Sequence, residues 1–293
     1  MNNVKDSYAA KVRAKSIGVM IVLVILALIC LLPIWILFVN ATRDTQDIMT
    51  NGLSFIPDTH FFANIKETIR LNSEGKITYD AFIGYRNSFI ITISATVLTV
   101  FFSALTAYGL VVYDFKASGP AYTFILMVMM VPVQVTSVGF VQFMSQIKLT
   151  DTYVPLIVPA VAAPAIVFYM RQYMKSSFPL DIVEAARIDG TGEFRTFLTI
   201  GLPMMKPAIG VQAIFAFIAN WNNFYTPSMV LISRDPSKYT MPMMINSILS
   251  NDKLSDLGVK YTSIMLSILP VMVIYILLSK TIVEGVAEGG VKE

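Results

Sequence analysis

Long apolar blocks alternate with polar stretches along this sequence, and the length of each block limits what it can form. Six blocks stand out: Ile17–Val39, Ser88–Tyr113, Pro120–Phe143, Tyr153–Met170, Pro207–Ile232 and Thr262–Ile282. A helix needs roughly 17 to 25 predominantly apolar residues to cross the hydrocarbon core of a bilayer. Each block meets that requirement, so the pattern predicts an all-α membrane protein with six transmembrane helices.

The polar stretches set the expected orientation of these spans. Four basic residues come directly before the first block: Lys5, Lys11, Arg13 and Lys15. Positive charge beside a span favours the cytoplasmic side, so the N-terminus is expected there, and after six spans the C-terminus as well. A cleaved signal peptide is rejected, because the first block is too long for its apolar region and further spans follow. The predicted segments are a cytoplasmic tail (1–16), a first transmembrane helix (17–39), an extracellular loop (40–87), a five-helix core domain (88–282) and a cytoplasmic tail (283–293).

Small and hydroxyl side chains recur along the second span. Ala95, Ala104, Ala107 and Gly109 alternate there with several serines and threonines. Such residues allow neighbouring helices to approach closely. We therefore expect this span to be buried within the bundle. In the loop before it, local helix is expected around Phe61–Leu71.

Prolines and amides interrupt the third, fourth and fifth spans. Pro132 and Gln134 lie inside the third, and the fourth contains three prolines within ten residues, at positions 155, 159 and 164. Each proline deletes a backbone hydrogen bond, and irregular backbone is tolerated in a membrane only where it is buried or lines a cavity. Two interpretations remain open: kinks stabilised by neighbouring helices, or a translocation path that includes Gln134, Thr136, Ser137 and Gln142.

A polar cluster marks the outer half of the fifth span. It contains Asn220, Trp221, Asn222, Asn223 and Tyr225. One interpretation is an interfacial tryptophan anchor with helix-capping amides. The other is a substrate surface, in which the rings of Trp221 and Tyr225 pack against a sugar and the amides bind its hydroxyl groups.

The most polar stretch of the second half is the segment 179–203, which predicts two short helices joined by a tight turn. Pro179 suits a first helical position, and Gly190 suits the left-handed position just past a helix end. Thr191 is expected to cap the second helix, with Glu193 in its first turn. Pro203 is expected to end that helix. The simplest interpretation is a cytoplasmic linker between two spans.

Composition excludes several other classes of protein. Of 293 residues, 55% are hydrophobic and 14% are charged, whereas soluble proteins carry roughly 25% charged residues. The net charge of +3 is too small to suggest nucleic-acid binding. The single cysteine, Cys30, and the single histidine, His60, cannot form an intramolecular disulfide or a metal site of their own. Gly75-Lys76 lacks the remainder of a P-loop, so no catalytic residue, metal or cofactor site is expected in this chain.

The polar segment resembles the EAA loop of binding-protein-dependent ABC import permeases, in the carbohydrate-importing branch that includes the maltose-permease G subunit. The resemblance rests on the run Glu184-Ala185-Ala186-Arg187-Ile188-Asp189-Gly190, followed by Phe197, Ile200, Leu202-Pro203 and Lys206-Pro207. Thr191 stands where many relatives carry Ala. The run Trp221-Asn222-Asn223-Phe224 resembles the Trp-Asn-Asp-Phe of sugar permeases, with Asn223 in place of the acid.

This resemblance implies a type I ABC importer permease fold and a role in sugar uptake, of di- or oligosaccharides. In such a complex the loop is the coupling helix, which contacts the ATPase. The implied ATPase-coupling residues are Glu184, Ala185, Ala186, Asp189, Gly190, Phe197 and Pro203. ATP and magnesium would be bound by two copies of a separate P-loop ATPase. A second, related permease would complete a heterodimer in the bacterial cell membrane, served by an extracellular or periplasmic sugar-binding protein.

Two alternatives to this function remain. An ABC permease could carry a solute other than a sugar, although no Lys or Arg lies in the interior of a span to bind phosphate; Lys280 is near the end of the sixth. An ion-coupled secondary transporter usually has carboxylates within its spans. The apolar cores of the six blocks contain no Asp or Glu, which argues against a proton relay but not against sodium bound by carbonyl groups.

Overall fold

The computed structural model describes residues 2–290, with side chains for residues 15–277. Within that part the chain forms helices and no β-strand. The α-helices are α1 (Asn2–Ala41), α2 (Thr45–Asn51), α3 (Phe61–Ser73), α4 (Ala81–Val112), α5 (Ser118–Met129), α6 (Val133–Gln146), α7 (Val154–Ile157), α8 (Pro164–Ser177), α9 (Asp181–Ile188), α10 (Glu193–Thr196), α11 (Leu202–Met204), α12 (Lys206–Trp221), α13 (Tyr225–Val230), α14 (Met241–Leu249) and α15 (Leu257–Gly290).

The chain divides into two compact units. The first comprises the N-terminal part up to Ile77 together with Ile248–Leu266. Its buried polar centre is Asn64, whose side-chain amide donates to the carbonyls of Ala41 and Arg43, each at 3.0 Å. These bonds hold the end of α1 against α3. The local helix expected around Phe61–Leu71 is confirmed as α3.

The second unit comprises Thr78–Ser247 and Ser267–Glu293 and is built around α4. Of the small residues predicted to be buried on α4, Ala95, Ala104 and Ala107 have no exposed surface, whereas Gly109 is half-buried. Thr99 donates its hydroxyl to the carbonyl of Ala160 at 2.8 Å. α4 packs against α8 and α12, so the close packing expected from its small side chains is confirmed.

Three of the predicted spans are broken rather than merely kinked. α5 and α6 meet at Pro132 with a bend of 96°. The proline-rich fourth span is a short helix, α7, followed by a 3-10 turn (Val158–Val161) and α8. In the fifth span the helix stops at Trp221 and resumes as α13. Each break lies at a proline or an amide cluster, where the backbone loses regular hydrogen bonds.

Two helices extend beyond the predicted spans. α1 begins at Asn2, before the expected tail ends, and α15 continues to Gly290, through most of the expected C-terminal tail; Met1 and residues 291–293 lie outside the described part. Within that part, four helical stretches are long and apolar enough to cross a membrane: 15–41, 81–112, 154–177 (α7 to α8 taken together) and 257–277. The number rises to six if the bent pairs, α5 with α6 and α10–α11 with α12, each count as one span.

Candidate functional site

The predicted hairpin begins with α9, and its turn has the geometry that the sequence indicated. The helix ends in two cross-turn hydrogen bonds, from Thr191 N to Ala186 O at 2.9 Å and from Gly190 N to Arg187 O at 3.0 Å. This pair defines a Schellman motif, in which the residue just past the helix end is left-handed. Gly190 occupies that position with φ +75°. The expectation of a left-handed glycine is therefore confirmed.

The second half of the hairpin differs from its prediction. Gly192, not Thr191, is the N-cap residue of α10, and no side chain caps this helix. Pro203 does not end it: a π-helical turn (Phe197–Gly201) carries the backbone into α11, which includes Pro203 and continues to Met204. The chain then bends by 80° into α12. The expected threonine cap is wrong, whereas the stop expected at Pro203 lies one residue later, at Met204.

The two faces of α9 have different surroundings. Val183 and Ala186 are buried against the rest of the chain. Glu184, Ala185 and Asp189 point outward and are exposed. Only Ala185 of the two adjacent alanines is thus available to another surface, and Ala186 packs inward instead. Ile188, with 87% of its surface exposed, adds an apolar side chain to the outward face.

Phe197 anchors the hairpin in the core. It is 1% exposed and belongs to a cluster with Tyr108 of α4 and Met170 and Met174 of α8. The rings of Tyr108 and Phe197 pack edge to face with centroids 5.2 Å apart. Gly201 completes the contact, because a Cβ atom there would lie 2.9 Å from the Tyr108 ring. The hairpin is therefore packed against the C-terminal half of α4.

A set of polar contacts makes a second connection between the hairpin and α4. No pattern in the sequence predicted it. Arg187 Nε donates to Glu193 Oε1 at 2.8 Å, and the hydroxyl of Tyr113 donates to Glu193 Oε2 at 2.8 Å. The Arg187 guanidinium also lies over the Tyr113 ring, 5.6 Å from its centroid. We call these three residues the hairpin latch.

A cleft of about 320 Å³ is bounded by α6, the 3-10 turn and the break between α12 and α13. Its size is typical of small-molecule sites. Among the expected path residues, Thr136, Ser137, Asn220 and Asn223 line it. Thr226 supplies a further hydroxyl group, and the remaining lining side chains are apolar. Among the described side chains that line the cleft none is charged, so its chemistry suits a neutral, hydrogen-bonding molecule.

The other expected path residues do not line this cleft. Gln134 and Asn222 are exposed, and Tyr225 directs its hydroxyl to Ser137 Oγ at 2.9 Å. Trp221 is only 2% exposed. Its ring stacks on Phe217 at 5.8 Å and meets Phe89 edge to face at 4.9 Å. In this structure Trp221 therefore packs as a core residue, and its predicted place on the substrate path stays a prediction.

Replacing Trp221 tests this assignment. Trp221→Ala removes a buried aromatic side chain, which typically costs about 3 to 5 kcal/mol. Trp35, in α1, is 47% exposed, so Trp35→Ala serves as the matched control. We expect the midpoint of thermal unfolding in detergent to fall strongly for Trp221→Ala and little for Trp35→Ala. Equal midpoints in both variants would contradict a core role for Trp221.

No cluster of His, Cys, Asp or Glu that could hold a metal ion occurs among the described residues.

The sequence matches a known family model and is similar to named transport proteins. The family model described as binding-protein-dependent transport system inner membrane component matches residues 99–287, which include the hairpin and the cleft. The chain is 33% identical over 267 residues to the arabinooligosaccharides transport system permease protein AraQ of Bacillus subtilis, covering 91% of this chain and 92% of that protein. It is 29% identical over 271 residues to the sn-glycerol-3-phosphate transport system permease protein UgpE of Pectobacterium atrosepticum, covering 92% and 94% of the two chains.

The fold also matches that of a solved transporter. A chain in the crystal structure of a bacterial ABC transporter involved in the import of the acidic polysaccharide alginate superposes with a TM-score of 0.76. The two chains are 21% identical, and the match covers 92% of this chain and 96% of that one. At that identity the likeness concerns the fold alone.

Proposed function

The chain belongs to the family of binding-protein-dependent transport system inner membrane components, and from this premise we propose that it is a permease subunit of an ATP-driven importer of di- or oligosaccharides. The observation that carries the proposal is the hairpin, which presents one exposed face while its other face is wedged into the core. A relative named for arabinooligosaccharide transport, with a third of its residues identical, supports a sugar cargo.

The proposed mechanism is alternating access driven by a partner ATPase. Glu184, Ala185 and Asp189 lie on the exposed face of α9, where they contact the ATPase in this proposal. Closure of two ATPase copies around ATP and magnesium then moves the hairpin, and the packed bundle shifts between inward- and outward-facing states. Six spans, a second related permease and an external sugar-binding protein complete the proposed complex, with both termini in the cytoplasm.

The lining of the cleft favours a neutral cargo over a phosphate ester. A relative is named for sn-glycerol-3-phosphate transport, so an anionic solute is the second candidate. A phosphate dianion requires positive charge or several aligned donors. Thr136, Asn220 and Asn223 offer neutral hydrogen-bonding groups instead. Sugar hydroxyl groups match that set, and the second permease supplies the other half of the site.

Reconstitution separates these functions. The chain, its partner permease and the ATPase are placed in proteoliposomes, with the sugar-binding protein supplied outside, and uptake of labelled arabinooligosaccharides is measured with and without ATP. We expect ATP-dependent uptake that is indifferent to a sodium or proton gradient. Gradient-driven uptake without ATP would show a secondary transporter, and uptake of glycerol phosphate but no sugar would assign the anionic cargo.

A conservative change in the cleft tests whether this chain contacts the cargo. Thr136 is exposed, lines the cleft and donates its hydroxyl to the carbonyl of Val133 in its own helix, at 3.1 Å. Thr136→Val removes one hydroxyl, and one hydrogen bond to a sugar is worth about 0.5 to 1.5 kcal/mol. We expect the half-saturating concentration of sugar for uptake to rise about two- to tenfold.

Thr123→Val is the matched control for this change. Thr123 is also exposed and bonds to a carbonyl of its own helix, that of Gly119 at 3.1 Å, but does not line the cleft. Its replacement should leave sugar uptake unchanged. The same half-saturating concentration in both variants would mean that the sugar is held elsewhere.

A further inference from the structure

We propose that the hairpin latch, formed by Tyr113, Arg187 and Glu193, is a positioning device that makes the hairpin and α4 move together. The inference rests on the proposed function, because it concerns how movement of the hairpin reaches the bundle. Tyr113 lies just past the end of α4, and the other two residues lie on either side of the Gly190 turn. The latch therefore joins three parts of the chain at one carboxylate.

The latch contacts the chain at a different point along α4 from the packing of Phe197 on Tyr108. Phe197 holds the hairpin against the ring of Tyr108. Tyr113 follows Tyr108 by five residues, or about 7.5 Å along a helix. A second contact, displaced along α4 from the first, resists rotation of the hairpin about Phe197. With both contacts in place, a tilt of the hairpin has to turn the end of α4 with it.

The exposure of the latch argues that it positions the hairpin rather than holding it folded. The Arg187 and Glu193 side chains retain 38% and 46% of their surface. Exposed ion pairs contribute little to stability because water and salt screen them. α9 and its turn also have their own backbone hydrogen bonds, and Phe197 remains buried. Breaking the latch should therefore leave a folded protein whose hairpin is free to pivot.

The protonation states keep the latch closed at neutral pH. The Arg187 guanidinium, followed by the Tyr113 hydroxyl, lowers the pKa of Glu193 below its ordinary value of 4.5. Burial, followed by the bond to Glu193, raises the pKa of Tyr113 to about 12. The contribution of the Glu193 carboxylate to the stability of the latch is thus complete above pH 4.5 and is lost as the pH falls through the lowered pKa. The contribution of the Tyr113 hydroxyl is complete below pH 10, the ordinary pKa of tyrosine, and is lost as the pH rises toward 12. Neither group therefore titrates near neutral pH.

The test measures sugar transported per ATP hydrolysed, using the complete transporter in proteoliposomes. Glu193→Ala removes the shared carboxylate, and Tyr113→Phe removes only the hydroxyl that donates to it. We expect ATP hydrolysis to continue in both variants while sugar moved per ATP falls about two- to tenfold, as expected for loss of a hydrogen bond that favours one of two states. The double variant should be no worse than Glu193→Ala alone, because both changes remove the same bond.

Tyr108→Phe is the matched control. Its hydroxyl is buried without a hydrogen-bond partner among the described residues, and phenylalanine keeps the ring that packs on Phe197. This variant should transport as much sugar per ATP as the unmodified chain. The inference is overturned if Glu193→Ala and Tyr113→Phe also keep the unmodified ratio, or if their midpoints of thermal unfolding fall in step with transport. Failure of the unmodified transporter to take up sugar with ATP would instead overturn the proposed function.

Discussion

Replacing Gly190 by proline is expected to abolish ATP-driven uptake while the chain still inserts into the membrane. Gly190 has φ +75°, and proline fixes φ near −65°. Proline also lacks the N–H that Gly190 donates to the carbonyl of Arg187. The turn therefore cannot close, and α9 loses its fixed direction relative to α10. Because the change lies in a polar segment, the apolar blocks that direct insertion stay intact.

Gly190→Ala is the control for that result. No atom lies within 4 Å of a Cβ at this position, so alanine meets only the left-handed backbone penalty, about 1 to 2 kcal/mol, and keeps the N–H. We expect uptake to be reduced but measurable. The measurement is ATP-dependent uptake by proteoliposomes, normalised to the amount of inserted chain. Normal uptake by Gly190→Pro would remove the hairpin from the coupling mechanism.

The first half of the hairpin could be predicted because its signals are local. A glycine just after an amphipathic run marks a left-handed helix end whatever the surroundings. The second half depends on packing. Phe197 and Gly201 fit against Tyr108, which lies some ninety residues earlier in the chain. A π-helical turn precedes Pro203, and the helix ends one residue after it, at Met204. The proline therefore marked the stop to within one residue, whereas nothing local marked the π-helical turn.

The core around Trp221 could likewise be predicted only as far as its signals are local. The spacing of Phe217 and Trp221, four residues apart, indicates stacking on one helix face, and that signal was present in the sequence. Phe89 comes from a distant helix, and only the fold brings it to Trp221. The hairpin latch is similar, since Tyr113 and Glu193 are separated by 80 positions. Pro132 marked the place of a break in the third span, but nothing local specified a bend of 96°.

Replacing Gly201 by valine is expected to prevent the hairpin from seating on α4. A Cβ at residue 201 would lie 2.9 Å from Cε2 and 3.0 Å from Cδ2 of Tyr108, and 3.3 Å from Cδ2 of Phe197. Both rings are 1% exposed, so neither has free space to move into. Overpacking of a filled core typically costs 1 to 3 kcal/mol, and the second and third heavy atoms of valine add to the clash. We expect little folded protein in detergent and a lower midpoint of thermal unfolding.

Gly109→Ala is the control for Gly201→Val. Gly109 neighbours Tyr108 on α4, yet no atom lies within 4 Å of a Cβ built there. Gly109→Ala also improves helix propensity by up to about 1 kcal/mol, so its unfolding midpoint should equal or exceed that of the unmodified chain. Gly201→Ala should fall between the two, since its single methyl group meets the same two rings. If Gly201→Val unfolds at the same temperature as Gly109→Ala, the contact between Gly201 and Tyr108 does not hold the hairpin in place, and the hairpin must be oriented by other contacts, the latch among them.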